Sequence, residues 1–461
     1  MSNYTFRGGV HPEENKEFSR ESTFRVYEAK GEMIFPLGQH IGKPARPLVK
    51  RNEQVLAGQV IAEADGFVSA NIVSSCSGKV KDIGPRQTVS GKMAECIVIT
   101  NDGKFEQLPG IGEPQADYNT LTPQEILGKI KAAGIVGMGG AGFPTHVKLA
   151  PRNPEAIKYV IANGAECEPY ITCDDQLMRG HAKEIVEGVK IILKLFPNAV
   201  GVIGIEENKP EAIEAMQMAA EGDANIHVLT LKTKYPQGGE RSLISVVAGA
   251  HFPGNKLPAD VGCVVDNVAT IYAIYRAVCF NEPLMQRGVT ISGDAIANPC
   301  NLLVRIGTSC KELMEEAGGI KEGVTCNKVL SGGPMMGIAM TSMDVPLQKA
   351  NNAITFLQED EVATAEQQLT ACIRCGRCGT VCPLGLVPQM MAAAAEKKDY
   401  ERYDKKLNGL DCIACGSCTF ICPARRPLMQ LFKQTKAEIM AERRAAAAKA
   451  AAEAAAKEEK K

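Results

Sequence analysis

Over residues 54–84 the chain reads QVLAGQVIAEADGFVSANIVSSCSGKVKDIG, with valine and isoleucine alternating with polar residues between glycine and serine breaks. Period-two alternation bounded by turn formers predicts short strands, so the Gly- and Pro-rich residues 1–115 read as a small all-β module. At Thr122 the period changes. Thr122-Pro-Gln-Glu125 has the form of a capping box with proline at the first helical position, and Ile126, Leu127, Ile130 and Ala133 follow at helical spacing. KYVIANGAE, AVGVIGIEEN and NIHVLTLK then read as strands, separated by RGHAKEIVEGVKIILKLF and KPEAIEAMQMAAEG as helices. This alternation, running to about residue 285, predicts an α/β domain with a mostly parallel sheet. GVTISGDAIANPCNLLVRIGTSCKELMEEAGG predicts two short strands before one short helix. Beyond about residue 360 the chain becomes helical and cysteine-rich. Residues 436–461 have high helix propensity but no apolar stripe, the pattern of a solvated or frayed helix.

Composition narrows this picture. A chain of 461 residues outgrows one core and implies two to four domains. Lysine plus arginine (52) nearly cancels aspartate plus glutamate (53), so no global field points to nucleic acid or an anionic membrane. The first residues lack the basic patch and apolar run of a secretory signal, and no apolar window is long enough to span a bilayer, which reads as a cytoplasmic chain.

The strongest chemical signal is a repeat. Cys372, Cys375, Cys378 and Cys382, followed by Pro383, recur as Cys412, Cys415, Cys418 and Cys422, followed by Pro423. Three thiolates at two-residue gaps wrap three corners of a 4Fe-4S cubane, and the fourth cysteine of such a run reaches the other cluster. One cluster is therefore expected on Cys372, Cys375, Cys378 and Cys422, the other on Cys412, Cys415, Cys418 and Cys382. A pair of zinc sites is the competing reading. It is weakened by the absence of any histidine after His251 and by the Cys-Pro that ends both runs. The other nine cysteines read as small buried residues, and Arg374, Arg377, Arg425 and Arg426 as charges that offset the clusters.

A second motif, GMGGAGFPTHVK at 137–148, contains a formal G-x-G-x-x-G at Gly137, Gly139 and Gly142, but a helix precedes it where a Rossmann fingerprint needs a strand. Its glycines still permit close backbone approach to a ligand. Pro144 can start a helix whose N-terminus attracts anions, with Lys148 adding a cation. Together with NGAECEPY, YPQGGERSL and DNVAT, this stretch resembles the flavin-binding NADH subunit of respiratory complex I. The resemblance implies FMN on Gly137, Gly139, Gly140, Gly142, Lys148, Asn163, Glu166, Tyr235, Gly238, Asn267 and Thr270, with Phe143, Glu168 and Glu240 facing NAD(H). The chain departs from that pattern at Ala165, Gly239 and Pro151.

The N-terminal pattern resembles the barrel-sandwich hybrid of biotinyl and lipoyl carriers, with Phe67-Val68-Ser69-Ala70 at the hairpin where a carrier has its lysine, so a scaffold role is expected. Residues 286–355 resemble the β-grasp module called SLBB, and SGGPMMG at 331–337 reads as a tight turn with packing methionines. The whole order is similar to the C subunits (RnfC) of Rnf electron-transport complexes. The implied fold class is multidomain α/β. It comprises a barrel-sandwich β module (1–115), a Rossmann-like FMN/NADH domain (120–285), the β-grasp module (286–355), a helical double-cluster ferredoxin domain (360–435) and the Ala-rich tail (436–461). The resemblance implies hydride exchange between NAD(H) and non-covalently held FMN, then single-electron passage through two 4Fe-4S clusters. Expected partners are other Rnf subunits and, indirectly, ferredoxin. The expected place is peripheral, at the cytoplasmic face of the cell membrane. A cobalamin reductase of similar layout and a non-catalytic assembly subunit are the alternatives.

Overall fold

The computed structural model describes residues 4–254 and 256–458. They form two compact units. The larger comprises residues 12–251 and 258–360 with a short N-terminal piece; the smaller gathers residues from 361 onward with residues 6–11 and the stretch around 252–257.

Within the larger unit, the alternating run at 54–84 contributes strands to two antiparallel sheets. One orders Met33–Pro36, Met93–Asn101, Gly78–Gln87 and Gln54–Val55; the other orders Arg46–Pro47, Val60–Glu63 and Ile72–Val73. Their inward residues, among them Met33, Phe35, Ile61, Ile72, Val80 and Ile97, fill one core. Phe67, at the hairpin where a carrier would present its lysine, is 82% exposed.

The alternation after Thr122 yields a four-stranded, wholly parallel sheet in the order Ile226–Leu231, Val200–Glu206, Tyr159–Gly164, Cys263–Asn267. Strands buried on both faces read as nearly continuous apolar runs, as VGVIGIE does. Helices Ala182–Leu193 and Val268–Phe280 bury Val186, Val189, Ile271 and Ile274 in the same core as Ile203 and Val160.

The β-grasp module holds a six-stranded mixed sheet. Its order is Arg25–Tyr27, Cys300–Arg305, Gln286–Ser292, Ala353–Leu357, Lys328–Ser331, Ile338–Ala339, with the helix Cys310–Glu316 after the second of its long strands. Its first strand comes from within residues 1–115. Tyr27 packs into the β-grasp core rather than the barrel core, a long-range pairing that local alternation does not reveal.

Buried cations fasten these modules together. Lys349, 1% exposed, donates to the carbonyls of Asn71 and Gly134, both at 2.6 Å, and so joins the β-grasp module, the barrel module and the turn before the glycine loop. Arg305 donates to Ser75 O at 2.7 Å, and Ser75 Oγ returns a bond to Ile306 O.

In the smaller unit, short helices Arg377–Thr380 and Ser417–Phe420 lie within the two cysteine runs, and Pro388–Glu396 packs on the long helix Leu428–Glu458. Phe432 and Ile439 of that helix are buried with Met391 and Tyr403, so its first half belongs to a core. Residues 440–450 have no apolar stripe and are exposed, in line with the solvated helix expected of the tail.

Candidate cofactor sites

The glycine loop is pinched at its base. Helix Pro123–Ala132 begins in the capping box expected of Thr122 and Glu125, and the chain leaves it through Gly134 at φ +65°. Gly137 N donates to Phe143 O at 2.8 Å and Thr145 N to Ile135 O at 3.1 Å, closing residues 137–143 into a loop. Gly139 and Gly142 stand at φ +74° and +70°, where an L side chain is strained. A Cβ on Gly139 would also fall 2.9 Å from Asn267 Nδ2, whereas a Cβ on exposed Gly140 would meet nothing within 4 Å, so the loop is crowded on one side and open on the other. Pro144 caps the single helical turn Thr145–Lys148.

The parallel sheet brings the remaining motifs to this loop. Strands Tyr159–Gly164 and Cys263–Asn267 are neighbours with Asn163 opposite Asn267, so NGAECEPY and DNVAT leave the sheet side by side at its C-terminal edge. That edge is where open parallel sheets bind ligands. Asn267 accepts from Ala269 N at 2.8 Å as the cap of helix Val268–Phe280, and donates to Asp174 Oδ2 at 2.6 Å. Thr270 is fully buried; its hydroxyl accepts from Met138 N at 2.9 Å and so holds the glycine loop from beneath. Asn163 donates to Gly238 O at 2.8 Å, and Gly238 N in turn donates to Cys167 Sγ at 3.3 Å, which draws YPQGGE onto the same edge.

Lys148 donates to Val265 O at 2.7 Å and lies 3.2 Å from Asp266, a carboxylate only 3% exposed. Burial works against the lysine's charge, but Asp266 and Glu240 outweigh it and hold the ammonium protonated; burial pushes the Asp266 carboxyl up, and Lys148 pulls it partly back. Glu240 opens helix Glu240–Ala248 and is exposed, and Phe143 is half-buried.

The turn after Asn163 is over-determined. Glu166 and Tyr170 have φ +45° and +68°. Lys16 donates to the carbonyls of Glu166, Glu168 and Ile171 at 2.8, 3.1 and 2.6 Å, while Lys209 donates to Ala165 O at 2.7 Å. No motif singles out these two buried lysines; a lysine after a strand or near the chain start looks like any surface cation. The Glu166 carboxylate accepts from the amides of Asp174 and Asp175, at 2.6 and 3.2 Å, at the start of helix Cys173–Gly180. Burial raises its pKa to about 8, with Lys16 opposing. Glu168 accepts from Met335 N and Met336 N at 2.7 and 2.9 Å and pairs with the Tyr235 hydroxyl. The segment 331–337 is thus a set of backbone donors for a flavin-domain carboxylate as well as a turn.

Buried polar atoms of Thr145 and Gln237 lack hydrogen-bond partners among the described residues. Gly140 on the loop's open side lets a ligand approach the backbone closely, and Lys148 lies in the helical turn that follows. The residues fit a flavin nucleotide.

The cysteines separate into two pockets. One is lined by Cys372, Cys375, Cys378 and Cys422; the other by Cys382, Cys412, Cys415 and Cys418. The fold that does this is a near repeat. Arg374 and Ala414 stand at φ +55° and +53°, and Gly376 and Gly416 at +77° and +83°, so each run curls around its pocket before its short helix. Burial raises the thiols of Cys378, Cys382 and Cys412, the last to about 11. Cys372 and Cys422 add to the effect on Cys378, as Cys415 and Cys382 do on Cys412. Thiolates crowded this way need a cationic centre to hold them deprotonated. Four sulfur donors per pocket, with no histidine in either lining, fit a cubane. Of the other nine cysteines, six are buried and three half-buried.

Residues 4–104 match the RnfC barrel sandwich hybrid domain, 130–276 the Nuo51 FMN-binding domain, 289–339 the SLBB domain and 365–423 the 4Fe-4S dicluster domain. Over 434 residues the chain is 46% identical to the C subunit of the proton-translocating ferredoxin:NAD(+) oxidoreductase complex of Clostridium ljungdahlii, covering 94% of each. It is 40% identical over 440 residues to the Na(+)-translocating counterpart of Acetobacterium woodii, covering 95% of this chain and 98% of that one. It is 42% identical over 444 residues to the C subunit of the ion-translocating oxidoreductase complex of Rhodobacter capsulatus, covering 95% and 84%. With that identity sustained across nearly the whole chain, the protein belongs to the family of C subunits of ion-translocating ferredoxin:NAD(+) oxidoreductase complexes.

Proposed function

We propose that this chain is the nucleotide-side electron-transfer subunit of such a complex, exchanging hydride with NAD(H) at an FMN and relaying single electrons through two 4Fe-4S clusters. The observation that carries this reading is the meeting of four motifs, 137–148, 163–168, 235–240 and 266–270, at one sheet edge in a chain that also holds two four-cysteine pockets.

Bound FMN supplies the conversion between two-electron hydride chemistry and one-electron transfer. The chain's own residues supply the setting. Gly137, Gly139, Gly140 and Gly142 let the backbone approach the nucleotide, and Lys148 offers a cation near the short helix. Asn163, Gly238, Asn267 and Thr270 tie three motifs into one rigid wall, while Lys16, Lys209 and Glu166 keep the adjoining turn in its left-handed conformation. Preorganised donors of this kind cost no rearrangement when charge develops on a bound ring. Phe143 and Glu240, at the rim, are the residues for NAD(H). Cys372, Cys375, Cys378 and Cys422 would hold one 4Fe-4S cluster and Cys382, Cys412, Cys415 and Cys418 the other.

Among the described residues no helix is long and apolar enough to cross a membrane. A peripheral position at the cytoplasmic face, held by the other subunits, is consistent with that. The relatives are named for different ions, proton in one and Na(+) in another. Their names give no support to a cobalamin reductase or a non-catalytic assembly subunit. The test is anaerobic addition of NADH to the loaded chain. Bleaching of the flavin absorbance followed by an EPR signal from reduced clusters is expected; a flavin that stays oxidised overturns the reading.

A further inference from the structure

We propose that Glu168 is a positioning residue rather than a nucleotide ligand, and that the β-grasp loop 331–337 sets the flavin site by holding it. The inference rests on the FMN reading above and concerns which part of the chain fixes that site's geometry.

Glu168 belongs to the turn that leaves the C-terminal edge of strand Tyr159–Gly164, yet its Oε1 accepts from two amides of another module, Met335 N at 2.7 Å and Met336 N at 2.9 Å. The loop is shaped for this contact. A Cβ on Gly333 would lie 2.2 Å from Glu168 Cγ, Gly332 has φ +97°, and a Cβ on Gly337 would lie 2.3 Å from Gly333 O. The loop is also anchored from behind. Gly332 N donates to Ala353 O at 2.8 Å, Thr355 Oγ1 to Gly332 O at 2.8 Å, Asn351 Nδ2 to Ser331 Oγ at 2.8 Å, and Gly337 N to Gly333 O at 2.9 Å. Two convergent backbone amides on a rigid loop form a small anion cradle, and here the anion is a side chain of the same protein.

The carboxylate passes this constraint on. It pairs with the hydroxyl of Tyr235, which is 2% exposed and opens the YPQGGE turn, while the carbonyl of Glu168 is held by Lys16. Glu168 therefore links the β-grasp loop, the turn 165–171 and Tyr235. An acceptor already engaged by two amides and a phenol is poorly placed to serve ribose hydroxyls as well. Its effect on the reaction runs through the placement of Gly238 and Asn163, which neighbour it in these turns.

The test uses the full-length chain with its clusters, comparing Glu168→Gln, Glu168→Ala, Gly333→Ala and Met336→Pro. Gln keeps an oxygen for both amides; Met336→Pro removes one amide at an exposed position and serves if Gly333→Ala fails to fold. FMN affinity is read by fluorescence quenching, and NADH-dependent ferricyanide reduction gives KM and kcat separately. Positioning predicts FMN binding weakened roughly tenfold or more in Glu168→Ala, Gly333→Ala and Met336→Pro, with Gln close to wild type and the KM for NADH little changed once FMN is saturating. The proposal is overturned if Gln alone raises the KM for NADH with FMN affinity intact, or if Gly333→Ala and Met336→Pro bind FMN as wild type does. If the unaltered chain binds no FMN at all, the function reading fails instead.

Discussion

Cys382 lines the same pocket as Cys412, and not the pocket of Cys378, its neighbour in the preceding short helix. Crossed ligation makes each cluster depend on both runs. Cys372→Ser with Cys422→Ser removes two ligands from one cluster and is expected to leave about four irons per chain, while Cys372→Ser with Cys382→Ser damages both clusters and leaves far fewer. Iron analysis of anaerobically purified variants decides between this pairing and a local one, which predicts the reverse.

Lys148 and Asp266 form a buried pair, and removing one partner leaves the other charge uncompensated. Lys148→Met is expected to destabilise the protein by about 3–5 kcal/mol. Adding Asp266→Asn should recover most of the stability, since the orphaned carboxylate is gone, but not the lost FMN affinity. Thermal melts with flavin retention on desalting separate the two effects. Full recovery of flavin binding in the double variant would show that Lys148 serves only Asp266.

Lys349 gives the junction of three modules a pH dependence. Burial lowers its pKa from the ordinary 10.5 to about 7. Below pH 7 both folded and unfolded chains carry the proton, and the cost of burying the charge stands in full. Between 7 and 10.5 only the unfolded chain keeps the proton, so the cost of burying the charge is progressively relieved and this residue's contribution to stability rises with pH through that window. The stability difference between wild type and Lys349→Met, followed by denaturant titration at pH 7 and pH 9.5, should shift in favour of wild type at the higher pH. A constant difference would contradict the assignment.

Lys16 holds three carbonyls of the turn that carries Glu166 and Glu168. Lys16→Met leaves those acceptors buried without their donor, at about 1–3 kcal/mol for each acceptor left wholly unpaired. Amide hydrogen exchange should speed up in residues 165–171 well beyond the rest of the sheet. Unchanged protection there would mean the turn holds itself.

Much of this was legible in the sequence because it is local. The Thr122 capping box, the parallel alternation of strand and helix, and the two cysteine runs are short-range patterns, and the crossed pairing follows from the reach of a Cys-Pro corner. Contacts between distant segments were not legible. Tyr27 joins the β-grasp sheet, Lys16 and Lys209 grip a turn far along the chain, and Glu168, read as a nucleotide contact, is held by the amides of Met335 and Met336. Tyr27 is placed by strand pairing, and the partners of Lys16, Lys209 and Glu168 are backbone groups, which any residue type provides, so composition and spacing carry no trace of these contacts.

Anaerobic purification followed by iron, sulfide and flavin analysis, with an NADH titration of the same sample, tests the conducting arrangement most directly. About eight irons and a matching amount of sulfide per chain are expected, with one equivalent of FMN that NADH bleaches and denaturation releases. Zinc in place of iron, or a chain that neither retains nor takes up FMN, would contradict it.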